Sequence, residues 1–597
     1  MSLRELVVQS YIGVEKISLI DELPSEQELA SEINRGIGDI EKVISKYNPL
    51  QIIAFYSQGA MVNTVESEIL RPLVEYLINL TLLGGTGSDA PTLDVIQKLQ
   101  QTWLTLYSTL TFHSIRSASN KTQTKAEADI RFQLITSDVG RKGDAYQCHI
   151  NQTGSGLFTL HDDVFQSIAG FTYKQFQEFA NAVGKDTIGR VQKNIEVYVE
   201  KKDIGQLLKC IDLFEVKPSN ELETKILEQL SCQVGDNNSF LEPKKKAKWP
   251  MNDSVYDRRP ILKFHDSYYL FEPSMLFWNQ RIILESILKE NNLDYYKDKF
   301  YKKRDTYVEQ ESMSILEGML QGSKSYSSLH YKLTEDGSDR FEIDGIVLLN
   351  DCILVVEAKA GALPPSAKRG SVLAFRGKME EVLRKAHKQT LQTIMYIQSS
   401  QKAVFENRRG DVVLTIKGSE YNKVFPVIVS LDTLYWVGCN LQLAYDLGLL
   451  VSKEWPWVVA LDDLRVFSEI MDDSSIFFQY LEKRITINDQ PIWAADELDI
   501  MMHYLENRLF FSDEQFKDNT LLILPPLTEQ LDAYYHTKSN GKSLVPKPEM
   551  VIPPRIVNLK PFKPFEDGIF TCTKCGREYK AKRKTCIRCG ISLRENS

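Results

Sequence analysis

Two apolar runs separated by a two-residue turn constrain the fold of this chain most strongly. Residues 341–359 have the sequence FEIDGIVLLNDCILVVEAK. Asn350-Asp351 tolerates the positive φ angles of a tight turn, so the segment predicts an antiparallel hairpin. With that turn, Leu349 faces Cys352, and the residue numbers of every facing pair add up to 701.

The charged residues of this hairpin gather at its open end. The register places Asp344 opposite Glu357 and Glu342 opposite Lys359, with all four side chains on one face. Opposed Cβ atoms lie roughly 5 Å apart, where two carboxylates repel unless a cation lies between them. Mg²⁺ or Mn²⁺ suits such hard oxygen ligands. The alternative is an ion pair between Glu342 and Lys359, with the two opposed acids pointing into water.

The spacing of these acids is similar to that of a known enzyme superfamily. Asp344, then twelve residues, then Glu357-Ala358-Lys359 resembles the PD-(D/E)xK nucleases, particularly their Mrr-like and nuclease-related (NERD-like) branches. The resemblance implies that Asp344 and Glu357 bind Mg²⁺ (or Mn²⁺), with the Ala358 carbonyl as a further candidate ligand. It also implies that Lys359 positions or activates the attacking water. Ile343 replaces the proline that usually precedes the first acid, at a position that varies widely in the superfamily.

The resemblance covers roughly residues 305–400 and extends to the helix before the hairpin. Glu309 matches the glutamate that these nucleases often place on the preceding helix, and Glu311 and Glu317 are alternatives. A carboxylate on an apolar helical stripe requires a partner. Three apolar residues follow Glu309 at same-face spacing, namely Met313, Leu316 and Leu320.

A second helix is predicted after the hairpin, from about residue 375 to residue 398. Gln389 best matches the family's helix glutamine, with Gln392 as an alternative, although a solvated helix face would have the same pattern. Lys368 and Arg369, in the segment that precedes the helix, are candidate nucleic-acid contacts of the sequence-independent kind that bind phosphate.

Two close cysteine pairs near the C-terminus predict a small zinc ribbon. Each pair has the spacing of a zinc knuckle and is followed by glycine. Four thiolates would close the coordination shell of Zn²⁺, which argues against catalysis there. The last 26 residues carry eight basic and two acidic side chains, so the ribbon could bind nucleic acid or protein. The ligands are Cys572, Cys575, Cys586 and Cys589.

The 597 residues exceed the size at which one hydrophobic core stops growing, so several domains are expected. We predict a multidomain α plus α/β protein with a largely helical N-terminal half, a restriction-endonuclease-like α/β/α core with a mixed sheet, and the ribbon. The polar stretch 236–257, which contains a basic run, is interpreted as a boundary and a solvated linker, with phosphate contact as the alternative. The predicted parts are a helical assembly or regulatory region (1–240), a nuclease-like domain (255–465, core 305–400), a helical extension (466–540), a proline-rich linker (541–568) and the ribbon (569–597).

These features together predict a metal-dependent endonuclease, with DNA favoured over RNA as its substrate. The resemblance implies a role in bacterial defence against phage or foreign DNA. The alternatives are an RNA nuclease and a catalytically inactive nucleic-acid-binding or scaffold protein. The helical N-terminal half is a candidate surface for self-association or for a protein partner. No run approaches the roughly 18 apolar residues that span a bilayer, and the N-terminus lacks the pattern of a secretion signal, so a cytoplasmic protein without a membrane partner is expected.

Overall fold

The computed structural model describes most of the chain, in two compact units. The described part of residues 1–549 forms the first unit, and the described part of residues 550–597 forms the second. None of the described helices is long and apolar enough to cross a membrane. The described residues are 23–62, 64–85, 87–118, 145–202, 204–242, 244–333, 339–361, 364, 367, 372–434, 436–511, 516, 521–539, 545–551, 569–572, 574, 578–580 and 589.

The N-terminal half is largely helical, as predicted. The first helix begins at a capping box, in which the Ser25 hydroxyl accepts from the Glu28 amide and the Glu28 carboxylate accepts from the Ser25 amide. Its buried residues recur every three or four positions, so one face enters the core. The helices are α1 (Glu26–Lys46), α2 (Pro49–Val62), α3 (Thr64–Thr81), α4 (Leu93–Ala118), α5 (Gln147–Phe158), α6 (Asp162–Ile168), α7 (Tyr173–Lys201), α8 (Ile204–Leu208) and α9 (Glu221–Leu230).

A small four-stranded sheet, which the sequence did not predict, follows these helices. Its order is β1-β4-β3-β2, with β2 parallel to β3 and the other neighbours antiparallel. Two of its strands lie within the region predicted to be helical. The strands are β1 (Glu215–Val216), β2 (Ser231–Gln233), β3 (Ile261–Phe264) and β4 (Ser267–Tyr269).

The interpretation of residues 236–257 as a solvated linker is wrong. Asn237 and Tyr256 are 0% and 1% exposed. The Asn237 amide nitrogen donates to the Asn79 carbonyl on α3, and its amide oxygen accepts from the Val255 backbone. Asn237 and Asn252 in this stretch are polar residues whose side chains satisfy buried backbone groups.

The second sheet of the chain has seven strands and is mixed, as predicted. Its order is β11-β10-β7-β6-β5-β8-β9, with β10 parallel to β7 and to β11 and the other neighbours antiparallel. The strands are β5 (Lys324–Lys332), β6 (Arg340–Leu349), β7 (Cys352–Lys359), β8 (Ala403–Glu406), β9 (Val412–Ile416), β10 (Lys423–Ser430) and β11 (Trp457–Ala460).

The predicted hairpin register is confirmed along the apolar part of β6 and β7. Asn350 has the positive φ of 52° that a tight turn requires. Five pairs, from Gly345 with Val356 to Leu349 with Cys352, have the predicted partners. Seven of the eight β7 residues are buried, because β7 has neighbours on both edges and is covered on both faces.

Helices cover both faces of the sheet around β6. A Cβ atom added at Gly345 would overlap the Met313 side chain on α13 (Tyr301–Met319). The next residue, Ile346, shares a buried cluster with Ile394 of α15 (Lys385–Ser399). Since consecutive strand residues point to opposite faces, α13 and α15 lie on opposite sides of the sheet. The other helices between β4 and β10 are α10 (Met275–Trp278), α11 (Gln280–Asn291), α12 (Leu293–Tyr295) and α14 (Val372–Met379).

The region that follows β10 is again mostly helical. A short parallel pair, β12 (Ile492–Trp493) and β13 (Leu522–Ile523), lies among its helices. In the second unit, β14 (Ile569–Thr571) and β15 (Glu578–Lys580) form an antiparallel pair. The helices are α16 (Trp436–Cys439), α17 (Leu441–Asp446), α18 (Leu461–Ile470), α19 (Ser474–Thr486), α20 (Glu497–Asn507) and α21 (Glu529–Ser539).

The close packing of α13 on β6 can be tested by a double-mutant cycle. Gly345→Ala should lower the free energy of unfolding by about 1–3 kcal/mol, because the new Cβ overlaps a buried methionine. Met313→Ala should cost about 2–5 kcal/mol by leaving a cavity. The double variant should lose less than the sum, since the smaller side chain removes the overlap. Urea unfolding measures all three, and additive losses would contradict this packing.

Candidate functional site

Asp344 lies where the regular pairing of β6 with β7 ends. Its carboxylate oxygen Oδ2 accepts a hydrogen bond of 2.8 Å from the main-chain N–H of Ala358. In the predicted register, the Ile343 carbonyl would accept from that N–H. The side chain has therefore taken the place of a ladder bond. Burial raises the pKa of Asp344, and the Lys359 charge opposes this increase.

Glu357 is the most deeply buried acid of the site, with 1% of its surface exposed. Its Oε1 forms an ion pair with the Lys359 ammonium group. Its Oε2 has no hydrogen-bond partner among the described residues. Burial, followed by the charge of Asp344, raises the pKa of Glu357. A buried acceptor without a donor is unfavourable, and a cation between Glu357 and Asp344 would relieve both the repulsion and the missing contact.

Lys359 is surrounded by carboxylates, but Glu342 is not its partner. Burial opposes the charged form of Lys359, whereas Glu357, Asp344 and Glu309 together raise its pKa above the ordinary value. Glu342 is exposed, and its Oε1 lies 3.8 Å from nitrogens of His330 and Arg408. The proposed ion pair across the hairpin is therefore wrong, because the regular pairing stops at Gly345 and Val356.

The main chain of β7 directs the Ala358 carbonyl toward β6. The Ala358 N–H reaches Asp344 on β6, whereas the Lys359 carbonyl accepts from the Leu431 N–H on the opposite edge, at 2.8 Å. The N–H and C=O of one strand residue point to the same side. The candidate ligand carbonyl thus faces the side of β7 where the Asp344 carboxylate lies.

Glu309 on α13 joins this group of charges. It is half-buried, and burial together with the charges of Asp344 and Glu342 raises its pKa to about 7. The two alternative glutamates on α13 have other partners. Glu311 forms an ion pair of 2.8 Å with Arg465, and Glu317 accepts from the Ser325 hydroxyl at 2.6 Å. Of the three candidates, Glu309 is the one that lines the same cleft as Asp344.

An open cleft leads to Asp344 and Glu309. Its walls come from α13, β5, β6 and the turn between β8 and β9. Where β5 passes Asp344, Ser328 has a left-handed φ of 51°, which is uncommon for a residue other than glycine. The lining residues are Thr306, Glu309, Gln310, Ser327, Ser328, Asp344, Asn407, Arg408 and Arg409.

Sequence reasoning missed the serines of β5 and the turn that contributes Arg408. The turn itself has a local signal, since the segment Asn-Arg-Arg-Gly-Asp separates two β-prone runs. Its position beside Asp344 has no such signal, because about 60 residues, including the helices α14 and α15, separate the two along the chain. Only the order of strands in the sheet brings them together.

The remaining predicted nuclease residues are placed only in part. Gln389 is half-buried on α15, and its main-chain carbonyl accepts from the Thr393 hydroxyl, so its catalytic role stays a prediction. Lys368 and Arg369 lie outside the described residues. No group of three or more His, Cys, Asp and Glu side chains among the described residues is arranged to hold a metal. The predicted Mg²⁺ site has two carboxylates and one carbonyl, so it does not depend on such a group.

The predicted zinc ligands are likewise placed in part. Cys572 is buried and directly follows β14, in the connection that turns back into β15. Cys589 is half-buried, and Cys575 and Cys586 lie outside the described residues, as does most of the predicted proline-rich linker. Zinc binding therefore stays a prediction.

Comparison of the chain with protein-family models, with curated proteins and with solved structures gave no match. The chemistry proposed for the site therefore rests on the geometry and charges of its own residues.

The raised pKa of Glu309 gives a pH-dependent effect on stability in buffer without divalent ions. The pKa of the Glu309 carboxyl is about 7 in the folded chain, compared with 4.5 for a glutamate in the unfolded chain. The ionised carboxylate therefore destabilises the fold, by an amount that is absent below pH 4.5 and complete above pH 7. Glu309→Gln should leave stability unchanged at the acid end and raise it by about 1–2 kcal/mol at pH 8, allowing for partial exposure of the side chain. Denaturant unfolding at several pH values measures the difference, and a pH-independent difference would contradict it.

The unpartnered oxygen of Glu357 predicts a metal-dependent gain in stability. Mn²⁺ at about 100 times its dissociation constant should add about 2.7 kcal/mol to the wild-type free energy of unfolding. Glu357→Gln should be more stable than wild type without metal, because the raised pKa of Glu357 means that its ionised form is less favourable in the folded chain than in the unfolded chain, and should lose the Mn²⁺ effect. Glu317→Gln, outside the acidic group, is the matched control and should keep it. An equal Mn²⁺ effect in all three proteins would exclude Glu357 as a ligand.

Proposed function

We propose that this protein is a metal-dependent endonuclease that hydrolyses phosphodiester bonds of DNA. The observation that carries the proposal is the buried Glu357, which has one oxygen on Lys359 and the other without a partner, beside Asp344. This arrangement is unfavourable in the protein alone and is resolved by a divalent cation. Because these carboxylates do not stabilise the fold, a functional role accounts for their presence.

The surrounding architecture supports the same proposal. The chain order is α13, the antiparallel strands β5, β6 and β7, then α14 and α15, then the antiparallel pair β8 and β9, then β10 parallel to β7. The resemblance noted from the sequence implies a mixed sheet between helices, with its acids on the second and third of these strands. A restriction-endonuclease-like core is therefore part of the proposal.

In the proposed mechanism, Asp344, Glu357 and the Ala358 carbonyl would hold Mg²⁺ or Mn²⁺. The bound ion would supply Lewis acidity and neutralise phosphate charge. Lys359 orients the attacking water, whose oxygen forms a bond to phosphorus while a bond from phosphorus to a sugar oxygen breaks. Glu309 is the candidate to accept the proton of that water, since a group with a pKa of about 7 changes protonation near neutral pH. The sugar oxygen leaves with a proton from solvent.

The C-terminal cysteines and the helical half extend the proposal beyond the cleft. We assign Zn²⁺ to Cys572, Cys575, Cys586 and Cys589, supported by the pairing of β14 with β15, which flank the first cysteine pair in the sequence. The basic ribbon would then contact DNA or a protein partner. The helical N-terminal half would assemble or regulate the enzyme, in defence against phage or other foreign DNA.

Cleavage of plasmid DNA in Mg²⁺ or Mn²⁺ tests the proposal. Wild type should nick or linearise the plasmid, and Glu357→Ala and Lys359→Ala should each lower the rate by roughly 100-fold or more. Lys324→Ala is the matched control, because it removes a lysine at the end of β5 that pairs with Leu348, away from Asp344. Its cleavage rate should equal that of wild type.

Each other result has a definite meaning. Equal cleavage by wild type, Glu357→Ala and Lys359→Ala would exclude these residues as the active site. Cleavage of single-stranded RNA without cleavage of DNA would favour an RNA nuclease. Intact binding of nucleic acid without cleavage of either would favour an inactive nuclease fold that serves as a scaffold.

A further inference from the structure

We propose that the turn between β8 and β9 is the phosphate-binding rim of the cleft, and that Arg408 and Arg409 contact the DNA backbone there. This inference rests on the proposed function, since it takes DNA as the ligand. It assigns a binding role to two residues outside the sequence resemblance, which ends near residue 400.

The two arginines lie on the same cleft as the acids of the site. Arg408 and Arg409 form one wall together with Asn407, while Glu309 and Asp344 lie within the same cleft. Burial dominates the raised pKa of Glu309, and the charge of Arg408 acts in the opposite direction, so the two side chains influence each other. A phosphodiester chain that reaches Asp344 through this cleft therefore passes the turn.

The guanidinium groups are available for a ligand. Arg409 is exposed and makes no ion pair within the described part of the chain. Among the residues that the structure describes, Arg408 forms an ion pair with one carboxylate, that of Glu342, at 3.8 Å, and the two side chains are 71% and 46% exposed. Such an exposed contact contributes little to stability. A phosphate with two charge-assisted hydrogen bonds can replace it at little cost.

The main chain of the turn is held without help from these two side chains. The Arg340 guanidinium on β6 donates to the carbonyls of Asn407 and Arg408. The Asn407 side-chain oxygen accepts from the N–H groups of Arg409 and Asp411, at 2.8 and 3.0 Å. The turn is therefore formed before DNA arrives, which lowers the entropic cost of binding.

The charge of the cleft explains why a cationic rim is required. Glu309 and Asp344 repel a polyanion, and the whole chain has a net charge of −8. Arginine has forked donors that match two phosphate oxygens, and it stays charged at all physiological pH values. The hydroxyls of Ser327 and Ser328, on the same cleft, are further donors of the kind that contact phosphate.

The test is DNA binding as a function of salt, which is independent of catalysis. A short fluorescent DNA duplex is titrated with full-length protein by anisotropy, without added divalent ions and at several NaCl concentrations. Loss of two phosphate contacts should lower the magnitude of the slope of log K against log salt by about 2 in Arg408→Ala/Arg409→Ala. The matched control, Lys402→Ala/Lys417→Ala, removes the same charge at the other end of the hairpin, where Ala403 pairs with Ile416, and should keep the wild-type slope.

The possible results separate this inference from the proposed function. An unchanged slope in the arginine variant, an equal decrease in the lysine control, or no binding by wild type would overturn the inference, even if plasmid is cleaved. A decrease seen with RNA and not with DNA would overturn the assignment of DNA. A selective decrease supports the inference, even if no cleavage is found. Arg409→Ala alone is a second variant that controls for misfolding, because Arg409 is exposed. It should lower the magnitude of the slope by about 1.

Discussion

The burial of two like charges at one end of an apolar hairpin is the constraint on which the rest of the site depends. Glu357 cannot reach water, and its neighbour Asp344 repels it. The surrounding groups reduce this cost without removing it. Asp344 accepts a hydrogen bond from the main-chain N–H of Ala358, and the Lys359 ammonium group pairs with one oxygen of Glu357. The imbalance that remains is the basis of the proposal that a divalent cation binds between the two carboxylates.

The apolar remainder of the sheet supplies the stability that offsets this cost. Regular pairing along β6 and β7, and the burial of nearly all of β7, fix the backbone at Asp344 and Glu357. Gly345 has a separate role, because the absence of a side chain lets α13 approach the sheet. That close approach brings Glu309 near the hairpin acids, so one glycine links helix packing to the electrostatics of the site.

The parts of this structure that could be predicted are those set by local patterns. The hairpin register follows from a two-residue turn and a side-chain period of two, so a slip by one residue would move the side chains of one strand to the other face and separate Asp344 from Glu357. The partner of Glu342 could not be predicted, because Asp344 replaces a ladder bond with a side-chain bond. The burial of residues 236–257 was missed for another reason. Composition does not distinguish a polar side chain that faces water from one, such as Asn237, that satisfies a buried backbone.

The division of the cleft between a buried acidic part and an exposed basic part follows from what each charge requires. Asp344 and Glu357 sit on rigid paired strands, and Glu309 sits on a packed helix, since the effect of these acids on one another depends on fixed short distances. Arginines that bind phosphate act from an exposed turn, where guanidinium groups stay solvated until the ligand arrives. The two parts meet through few contacts. β5 pairs with β8 at His330 and Glu406, and Arg340 ties β6 to the carbonyls of the turn. The spacing between acids and arginines is thus set by the sheet edge, which makes Arg340 a positioning residue for the rim.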